Sequence, residues 1–178
     1  VVDVGEGVTK VKRDDHVVLG WIKGEGIDSG GNKYLTSNGQ TINAGAVTTF
    51  SNYTVVSENR LVPLPEGTPK DLGVLYGCAL PTGMGIVLNE LSPEPKAKIL
   101  IYGLGGIGLS ALMAANLCYP SQLIAIDIED SKLDLALTFG ATHTINSKST
   151  DPVKAVMNLT GNKGVDYAVE AAGFGSTI

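Results

Sequence analysis

The stretch ILIYGLGGIGLSALMAA, residues 99–115, decides the fold because it joins an apolar run, a glycine-rich turn and an apolar helical pattern. The wider run AKILIYG, residues 97–103, predicts a buried strand, and the residues after the turn have helical spacing. Gly103, Gly105 and Gly108 lie in a GxGxxG arrangement. That arrangement alone is a weak signal, because glycine-rich loops are common, so its surroundings decide its meaning.

Each glycine meets a physical need of a loop that holds a pyrophosphate. Gly103 allows the tight turn out of the strand, Gly105 lets backbone amides approach the phosphates, and Gly108 lets the helix pack closely on the sheet. The helix N-terminus then presents unpaired N–H groups and the positive end of its dipole. The candidate cofactor-binding residues of this loop are Gly103, Leu104, Gly105 and Gly106.

The second predicted strand, QLIAIDI at residues 122–128, carries an acid at its end. Asp127 lies 19 residues after Gly108, where a carboxylate can accept hydrogen bonds from the adenosine ribose hydroxyls. A carboxylate there also leaves a 2′-phosphate uncompensated, so we predict NAD rather than NADP as the cofactor. The alternative is that Asp127 only forms a turn or caps the next helix.

From residue 71 onward, helices alternate with apolar strands, which predicts a parallel sheet with helices on its faces. Asp151 is placed to cap the last helix. The fold class is therefore α/β, a doubly wound parallel (Rossmann) sheet, truncated after its fourth strand because such sheets commonly have about six. The remaining predicted segments are helices within residues 131–140 and 151–161 and strands within residues 141–146 and 164–173.

The chain before residue 71 has a different pattern. Residues 1 to about 60 are rich in β-forming residues, and HVVLGWI (residues 16–22) and FSNYTVV (residues 50–56) are predicted strands. Residues 23–45 are polar and glycine-rich and predict a long loop. LVPLPEGTP, residues 61–69, predicts an extended connector because it contains three prolines. We therefore expect two domains, residues 1–70 and residues 71–178.

Composition argues against several classes of function. The 178 residues carry a formal net charge of -5, and the pI is about 4.9, so the protein repels phosphate backbones and we expect no nucleic-acid partner. No apolar run approaches the roughly 20 residues that cross a bilayer. The two cysteines are too few for a disulfide framework. We expect a soluble, cytoplasmic protein with no membrane partner.

The motifs form an ordered set that resembles the medium-chain, zinc-containing alcohol dehydrogenase family. The resemblance implies an oxidoreductase that transfers a hydride between NAD and a small-molecule alcohol, polyol or carbonyl compound, with zinc as Lewis acid. It also implies a GroES-like catalytic domain before the Rossmann domain and a homo-oligomer in the full-length protein. It begins inside the first domain, so we expect a fragment. The matching phrases are VGEGVTKVK, TFSNYTVV, YGCALPTGMG, YGLGGIG, DIEDSKLDLALTFGATHTIN and GVDYAVEAAG.

Cys78 lies in the phrase YGCALPTGMG. Without context, an unpaired cysteine is most simply a small buried hydrophobic residue. The resemblance implies instead that Cys78 is one ligand of the catalytic zinc, with the two other ligands before Val1. The chain by itself should then be inactive and hold no catalytic residue. Cys118 is interpreted as a core thiol in the middle of a helix, and His16 and His143 as structural or surface residues.

The resemblance assigns further positions with less specificity. Thr82 and Ile107 match residues that pack against the nicotinamide ring, and Lys132 matches a residue at the adenosine ribose. Ala171 and Ala172 match positions on the adenosine side. For each of these five residues, ordinary packing or solvation is the alternative interpretation.

One departure from the family is plain. Many members hold a structural zinc through four closely spaced cysteines, and residues 21–45 contain none, so we predict that the structural zinc is absent. Two other functions stay open. One is a zinc-free quinone or enoyl reductase of the same superfamily, in which Cys78 is inert. The other is a dinucleotide-binding protein without catalysis.

Overall fold

The computed structural model of the chain describes residues 1–175 and residue 177. The chain forms two compact units, Val1–Cys78 and Ala79–Ile178. These units are defined by compactness alone. The expected domains, residues 1–70 and 71–178, therefore remain predictions.

The first unit contains two small antiparallel sheets. One pairs β1 with β4, and the other pairs β2 with β3 as a hairpin. The elements of this unit are β1 (Val17–Leu19), β2 (Asn32–Leu35), β3 (Thr41–Gly45), β4 (Leu61–Pro63), α1 (Lys70–Gly73) and the 3₁₀ turns Glu58–Arg60 and Val74–Gly77.

Three predictions for this unit are wrong. Residues 23–45, predicted as a loop, contain the β2–β3 hairpin, whose turn is closed by a Thr36 N–H donating to the Gln40 carbonyl at 2.9 Å. Residues 50–56, predicted as a strand, belong to neither sheet. Residues 61–69, predicted as a connector, begin with β4, because Leu61–Pro63 pairs with β1. A GroES-like assignment for this unit stays an expectation.

A buried carboxylate connects three segments of the first unit. Glu58 is 6% exposed, and its Oε1 accepts hydrogen bonds from the backbone N–H groups of Thr9 at 2.7 Å and Lys10 at 2.6 Å. Its Oε2 accepts from the Ile27 N–H at 2.9 Å. These N–H groups lower the pKa of Glu58, with Ile27 contributing most. In the part of this unit that the structure describes, only Val11 and Leu61 are buried hydrophobic residues, so this polar anchor replaces part of a core.

The second unit is built on a parallel sheet of four strands in the order β7-β6-β5-β8. This order and direction confirm the predicted doubly wound sheet, with each predicted strand and helix present. Its elements are α2 (Ala79–Gly85), the π-helix Ile86–Leu91, β5 (Lys98–Tyr102), α3 (Gly106–Leu117), β6 (Gln122–Asp127), α4 (Asp130–Thr138), β7 (His143–Asn146), α5 (Pro152–Leu159) and β8 (Tyr167–Glu170).

Both faces of this sheet are covered, as a parallel sheet requires. In β6, Leu123 and Ala125 belong to one buried cluster, while Ile124 and Ile126 belong to another. The first cluster includes residues of α3 and α4, and the second includes Val156 of α5. The alternation along one strand therefore places helices on opposite faces.

Two helices of this unit test the sequence predictions closely. Asp151 caps α5 as predicted, because its side chain accepts a hydrogen bond from the Lys154 N–H. Cys118 does not lie in the middle of a helix, since α3 ends at Leu117 and Cys118 is its C-cap. Its half-buried side chain nevertheless packs against the core, as expected.

No single helix among the described residues is long and apolar enough to cross a membrane. The segments Lys70–Gly77 and Ala79–Leu91 meet the criteria of length and composition only when they are taken together as a bent pair.

Candidate functional site

The glycine loop lies at the carboxyl end of the sheet, between β5 and α3. The chain order reverses at β5, because β6 lies on one side of it and β8 on the other. In open α/β sheets, ligands bind in the crevice outside the carboxyl ends of the strands at such a reversal. The fold therefore places residues 103–108 at the position where a ligand is expected.

Close approach of backbone segments shapes the loop. Gly103 has a φ of +89°, and a Cβ there would lie 2.6 Å from the backbone N of Ala172. A Cβ on Gly108 would lie 1.8 Å from the Gly103 carbonyl oxygen. Any larger residue would push the first turn of α3 away from the strand, so the packing role predicted for Gly108 has a direct steric basis.

The tip of the loop is open. Gly105, Gly106 and Ile107 are exposed, and a Cβ on Gly105 would meet no protein atom within 4 Å. Gly105 is the N-cap of α3, and no side chain caps this helix in the part of the chain that the structure describes. The first backbone N–H groups of a helix have no partner within it. The loop therefore offers room and donors for an anionic group, which fits a diphosphate.

Asp127 lies at the end of β6 and is 6% exposed. Its Oδ2 accepts a hydrogen bond from the Leu104 N–H at 2.7 Å. Its Oδ1 accepts from the N–H groups of Ile128 at 2.8 Å and Glu129 at 3.0 Å. Burial acts to raise the pKa of Asp127, but these N–H groups and the nearby Lys132 ammonium outweigh it and hold the pKa below its ordinary value.

These contacts bear on both interpretations of Asp127. The hydrogen bond from the Glu129 N–H closes a turn, so the turn-forming alternative is observed. A carboxylate has about four acceptor positions, and three backbone donors occupy most of them here. The backbone leaves one acceptor position, and contact with a ribose hydroxyl stays a prediction. The Leu104 amide is directed to Asp127, although Leu104 was expected to contact the cofactor.

Charged side chains surround Asp127. The Lys132 Nζ lies 3.7 Å from the Asp127 Oδ2, and the role of both residues at a ribose stays a prediction. The Lys148 Nζ contacts the Glu129 Oε1 at 2.8 Å. Glu129 and Lys148 are not among the residues predicted from the sequence. Their signal is positional, because each follows the carboxyl end of a strand, β6 for Glu129 and β7 for Lys148.

The segment after β8 lies against the glycine loop. Ala171 and Ala172 are half-buried, and both contribute atoms to the wall that a Cβ on Gly103 would meet. Glu170, which the sequence analysis also missed, fixes this segment. Its Oε1 accepts from the N–H groups of Ala172 and Gly173, each at 2.9 Å. The two alanines are thus brought to the loop, while their contact with adenosine stays a prediction.

Helix α2 packs directly on the start of α3. A Cβ on Gly83 would lie 2.2 Å from the Ile107 carbonyl oxygen and 2.6 Å from the Ser110 Cβ. Thr82, the preceding residue, is exposed. The structure therefore brings Gly83, the residue after Thr82, close to Ile107, while contact of Thr82 and Ile107 with a nicotinamide ring stays a prediction.

Cys78 belongs to the first unit and is exposed, so it is not the buried hydrophobic residue of the simpler interpretation. It follows the 3₁₀ turn Val74–Gly77 and lines a cleft of about 540 Å³ with His16, Leu19 and Trp21 among others. No group of three or more His, Cys, Asp or Glu residues suited to a metal occurs in the described part of the chain. These residues alone therefore do not fit a zinc ion, which needs three protein ligands.

A doubly wound parallel sheet with an open glycine loop at its topological reversal and an acid at the end of the next strand defines a Rossmann-like protein. A family model described as "Zinc-binding dehydrogenase" matches residues 106–178. The resemblance seen in the motifs is confirmed, because the second unit matches the zinc-binding dehydrogenase family.

Curated relatives support this assignment. The S-(hydroxymethyl)glutathione dehydrogenase of Escherichia coli is 33% identical over 97% of this chain, which covers 54% of that protein. The enzyme of the same name from Synechocystis shows the same identity and coverage. The chain thus spans about half the length of the curated relatives it matches.

Solved structures give the same picture. Benzyl alcohol dehydrogenase from Acinetobacter calcoaceticus is similar with a TM-score of 0.77 and 34% identity, covering 98% of this chain and 53% of that chain. The alcohol dehydrogenase from Aeropyrum pernix has a TM-score of 0.80 and 27% identity, covering 99% and 53%.

Proposed function

We propose that this chain carries the NAD-binding part of a dehydrogenase that transfers a hydride between an alcohol or polyol and NAD, with zinc as Lewis acid in the complete enzyme. The relatives whose names include alcohol or S-(hydroxymethyl)glutathione dehydrogenase support the reaction class. The family description supports zinc.

One observation carries the coenzyme assignment. The open tip at Gly105 and the carboxylate of Asp127 are joined through the Leu104 N–H, which links the loop to the end of β6 at 2.7 Å. A dinucleotide has a diphosphate and a ribose a short distance apart, so one ligand would use both features.

In this proposal, different residues of the chain bind different parts of the coenzyme. The N–H groups at the start of α3 bind the diphosphate, and Asp127 with Lys132 orients the adenosine ribose. Thr82 and Ile107 support the nicotinamide ring from adjacent positions on α2 and α3. Ala171 and Ala172 line the adenosine side. None of these residues exchanges a proton or a hydride, so their part in the reaction is to bind and orient.

Cys78 is proposed as one zinc ligand. Zinc bound there would act as a Lewis acid toward the oxygen of an alcohol. An exposed thiol beside a cleft is accessible to a metal, but two further ligands must come from outside the described residues. By itself, the chain is expected to bind coenzyme without turnover.

The test is a titration of the purified chain with NADH, followed by coenzyme fluorescence and calorimetry. We expect saturable binding of NADH and much weaker binding of NADPH. Gly105→Ala should keep the thermal unfolding midpoint, because its Cβ meets no protein atom within 4 Å, and should lower NADH affinity about tenfold or more by filling the space of a phosphate. Gly5→Ala, at another uncrowded glycine, is the control.

Metal analysis and turnover then separate the functional alternatives in an enzyme that contains this chain. Alcohol-dependent reduction of NAD with bound zinc supports the proposal. Reduction of a quinone or enoyl compound without zinc would favour a zinc-free reductase, and coenzyme binding without either reaction would favour a non-catalytic protein. Absence of any coenzyme binding would overturn the assignment at its base.

A further inference from the structure

We propose that the Glu129–Lys148 ion pair is a second determinant of coenzyme choice, in which Glu129 disfavours a 2′-phosphate and holds Lys148 away from it. This inference rests on the proposed function, because it concerns the site at which the adenosine ribose would bind.

The two residues lie on neighbouring, well-anchored turns. Glu129 ends the turn that Asp127 closes by accepting from the Glu129 N–H at 3.0 Å. Lys148 follows β7, and its N–H donates to the Asn146 Oδ1 at 2.9 Å. The Ser147 N–H donates to the Asp127 carbonyl at 3.1 Å, which ties the second turn to the first. The backbone thus holds both side chains at the edge that carries Asp127.

Both charged groups remain accessible to a ligand. The Lys148 side chain is 59% exposed and that of Glu129 is 49% exposed, although their charged atoms are 2.8 Å apart. An exposed ion pair contributes little to folding and can exchange partners. Lysine is a flexible point charge that binds phosphate well. In this proposal, the Lys148 ammonium group is suited to binding a phosphate, but it is paired with the Glu129 carboxylate.

The local charge favours a sugar without a phosphate. Three carboxylates, those of Asp127, Glu129 and Asp130, face the two ammonium groups of Lys132 and Lys148, which leaves a net charge of minus one. The carboxylates Glu129, Asp130 and Asp127 raise the pKa of Lys148 in that order of contribution. A 2′-phosphate would add further negative charge, and Lys148 would have to leave Glu129 to compensate it.

Removing the charge of Glu129 should therefore act in one direction on the ratio of affinities. In Glu129→Gln, Lys148 is released and a carboxylate is lost, so we expect the affinity for NADPH relative to NADH to rise about three- to tenfold at low ionic strength. Lys148→Met should lower this ratio. In the double variant, the gain from Glu129→Gln should disappear, because the cation that produces it is gone.

Calorimetric titration of the full chain with NADH and with NADPH measures the ratio, and circular dichroism checks folding. Glu90→Gln and Lys163→Met change exposed charges elsewhere in the same unit and should leave the ratio unchanged. At about 1 M salt, where the Debye length is about 3 Å, most of the effect should vanish. A purely structural role would alter both affinities together and would not respond to salt in this way.

The outcomes are distinguishable. An unchanged ratio in folded Glu129→Gln that still binds NADH overturns this inference and leaves the proposed function intact. If Glu129→Gln does not fold, Lys148→Met decides alone, and a ratio that does not fall overturns the inference. If the unsubstituted protein binds neither coenzyme, the proposed function fails first.

Discussion

The Asp127 carboxylate and the Leu104 backbone N–H form a buried hydrogen bond of 2.7 Å between residues 23 positions apart in the sequence. This bond joins the end of β6 to the glycine loop that follows β5. One side chain therefore fixes the loop and stands beside the expected ribose.

Replacing Asp127 with asparagine tests this double role. The amide group offers one acceptor oxygen to three backbone donors, so we expect the free energy of unfolding to fall by about 1–3 kcal/mol. NADH affinity should fall about tenfold or more, because the charge-assisted acceptor for the ribose is lost. Chemical denaturation and NADH titration measure the two effects. Asp134→Asn, on the exposed face of α4, is the control, and equal behaviour of the two variants would contradict the role of Asp127.

The packing of α3 on the loop predicts the effect of Gly108→Ala. Its Cβ would lie 1.8 Å from the Gly103 carbonyl oxygen, so the helix must move, and we expect a loss of about 1–3 kcal/mol in unfolding free energy. Gly85→Ala is the matched control, because its nearest neighbour would be the Asn89 side chain at 3.7 Å. Thermal unfolding should show a lower midpoint for Gly108→Ala alone, and an unchanged midpoint would disprove the steric argument.

The lowered pKa of Glu58 predicts how the stability of the first unit changes as the pH falls. Its folded pKa lies below the ordinary glutamate value, which is about 4.3, so its stabilisation is complete above that value and is lost as the pH falls through the folded pKa. Glu58→Gln should be less stable at neutral pH and should lose less stability between about pH 5 and about pH 2.

Denaturant unfolding at several pH values measures this difference. Glu66→Gln, which changes an exposed carboxyl of the same unit, should follow the unsubstituted protein. Parallel curves for Glu58→Gln and the unsubstituted protein would show that the buried carboxylate does not contribute to the pH dependence.

The two cysteines should differ in reactivity. Cys78 is exposed, whereas Cys118 is half-buried and its Sγ lies 3.5 Å from the Ala114 carbonyl oxygen. A thiol reagent such as Ellman's reagent should modify one thiol rapidly in the folded chain and the second only on unfolding. Cys78→Ser should remove the rapid phase, and Cys118→Ser should keep it. Two rapid phases would contradict the packing of Cys118.

The sequence predicted the second unit well because β6 is buried on both faces and the loops carry specific residues. Between Gln122 and Asp127, β6 is continuously apolar, and Asp151 with Pro152 marks the start of α5. The buried face of α3 could not be read in the same way. Met113 and Leu117 are apolar but exposed, because the helix is apolar on nearly all sides.

The first unit was predicted poorly for a physical reason. Its few buried hydrophobic residues give little periodicity. Glu58 connects its segments through backbone hydrogen bonds, which no sequence pattern reveals. A signal for the hairpin was present, however. Asn38–Gly39 is a strong turn dipeptide between two short strands, and Gly39 has a φ of +82°.

For the candidate site, the glycine spacing and Asp127 were readable because fixed backbone geometry demands those residue types. Glu129 and Lys148 were not readable as a pair, since their contact joins residues 19 positions apart in the sequence. Glu170 makes local contacts, with the N–H groups of Ala172 and Gly173, which no motif marked. Exposure of Cys78 likewise depends on how the first unit folds.

The bond between Asp127 and Leu104 also limits how this protein can be redesigned. Replacing Asp127 with a smaller neutral residue is an obvious route toward binding of a phosphorylated coenzyme. The same change would remove the hydrogen bond that holds the loop, so such variants would be less stable. Glu129 lies outside that bond. Laboratory evolution of coenzyme preference should therefore begin at Glu129, where a substitution leaves the bond between Asp127 and Leu104 in place.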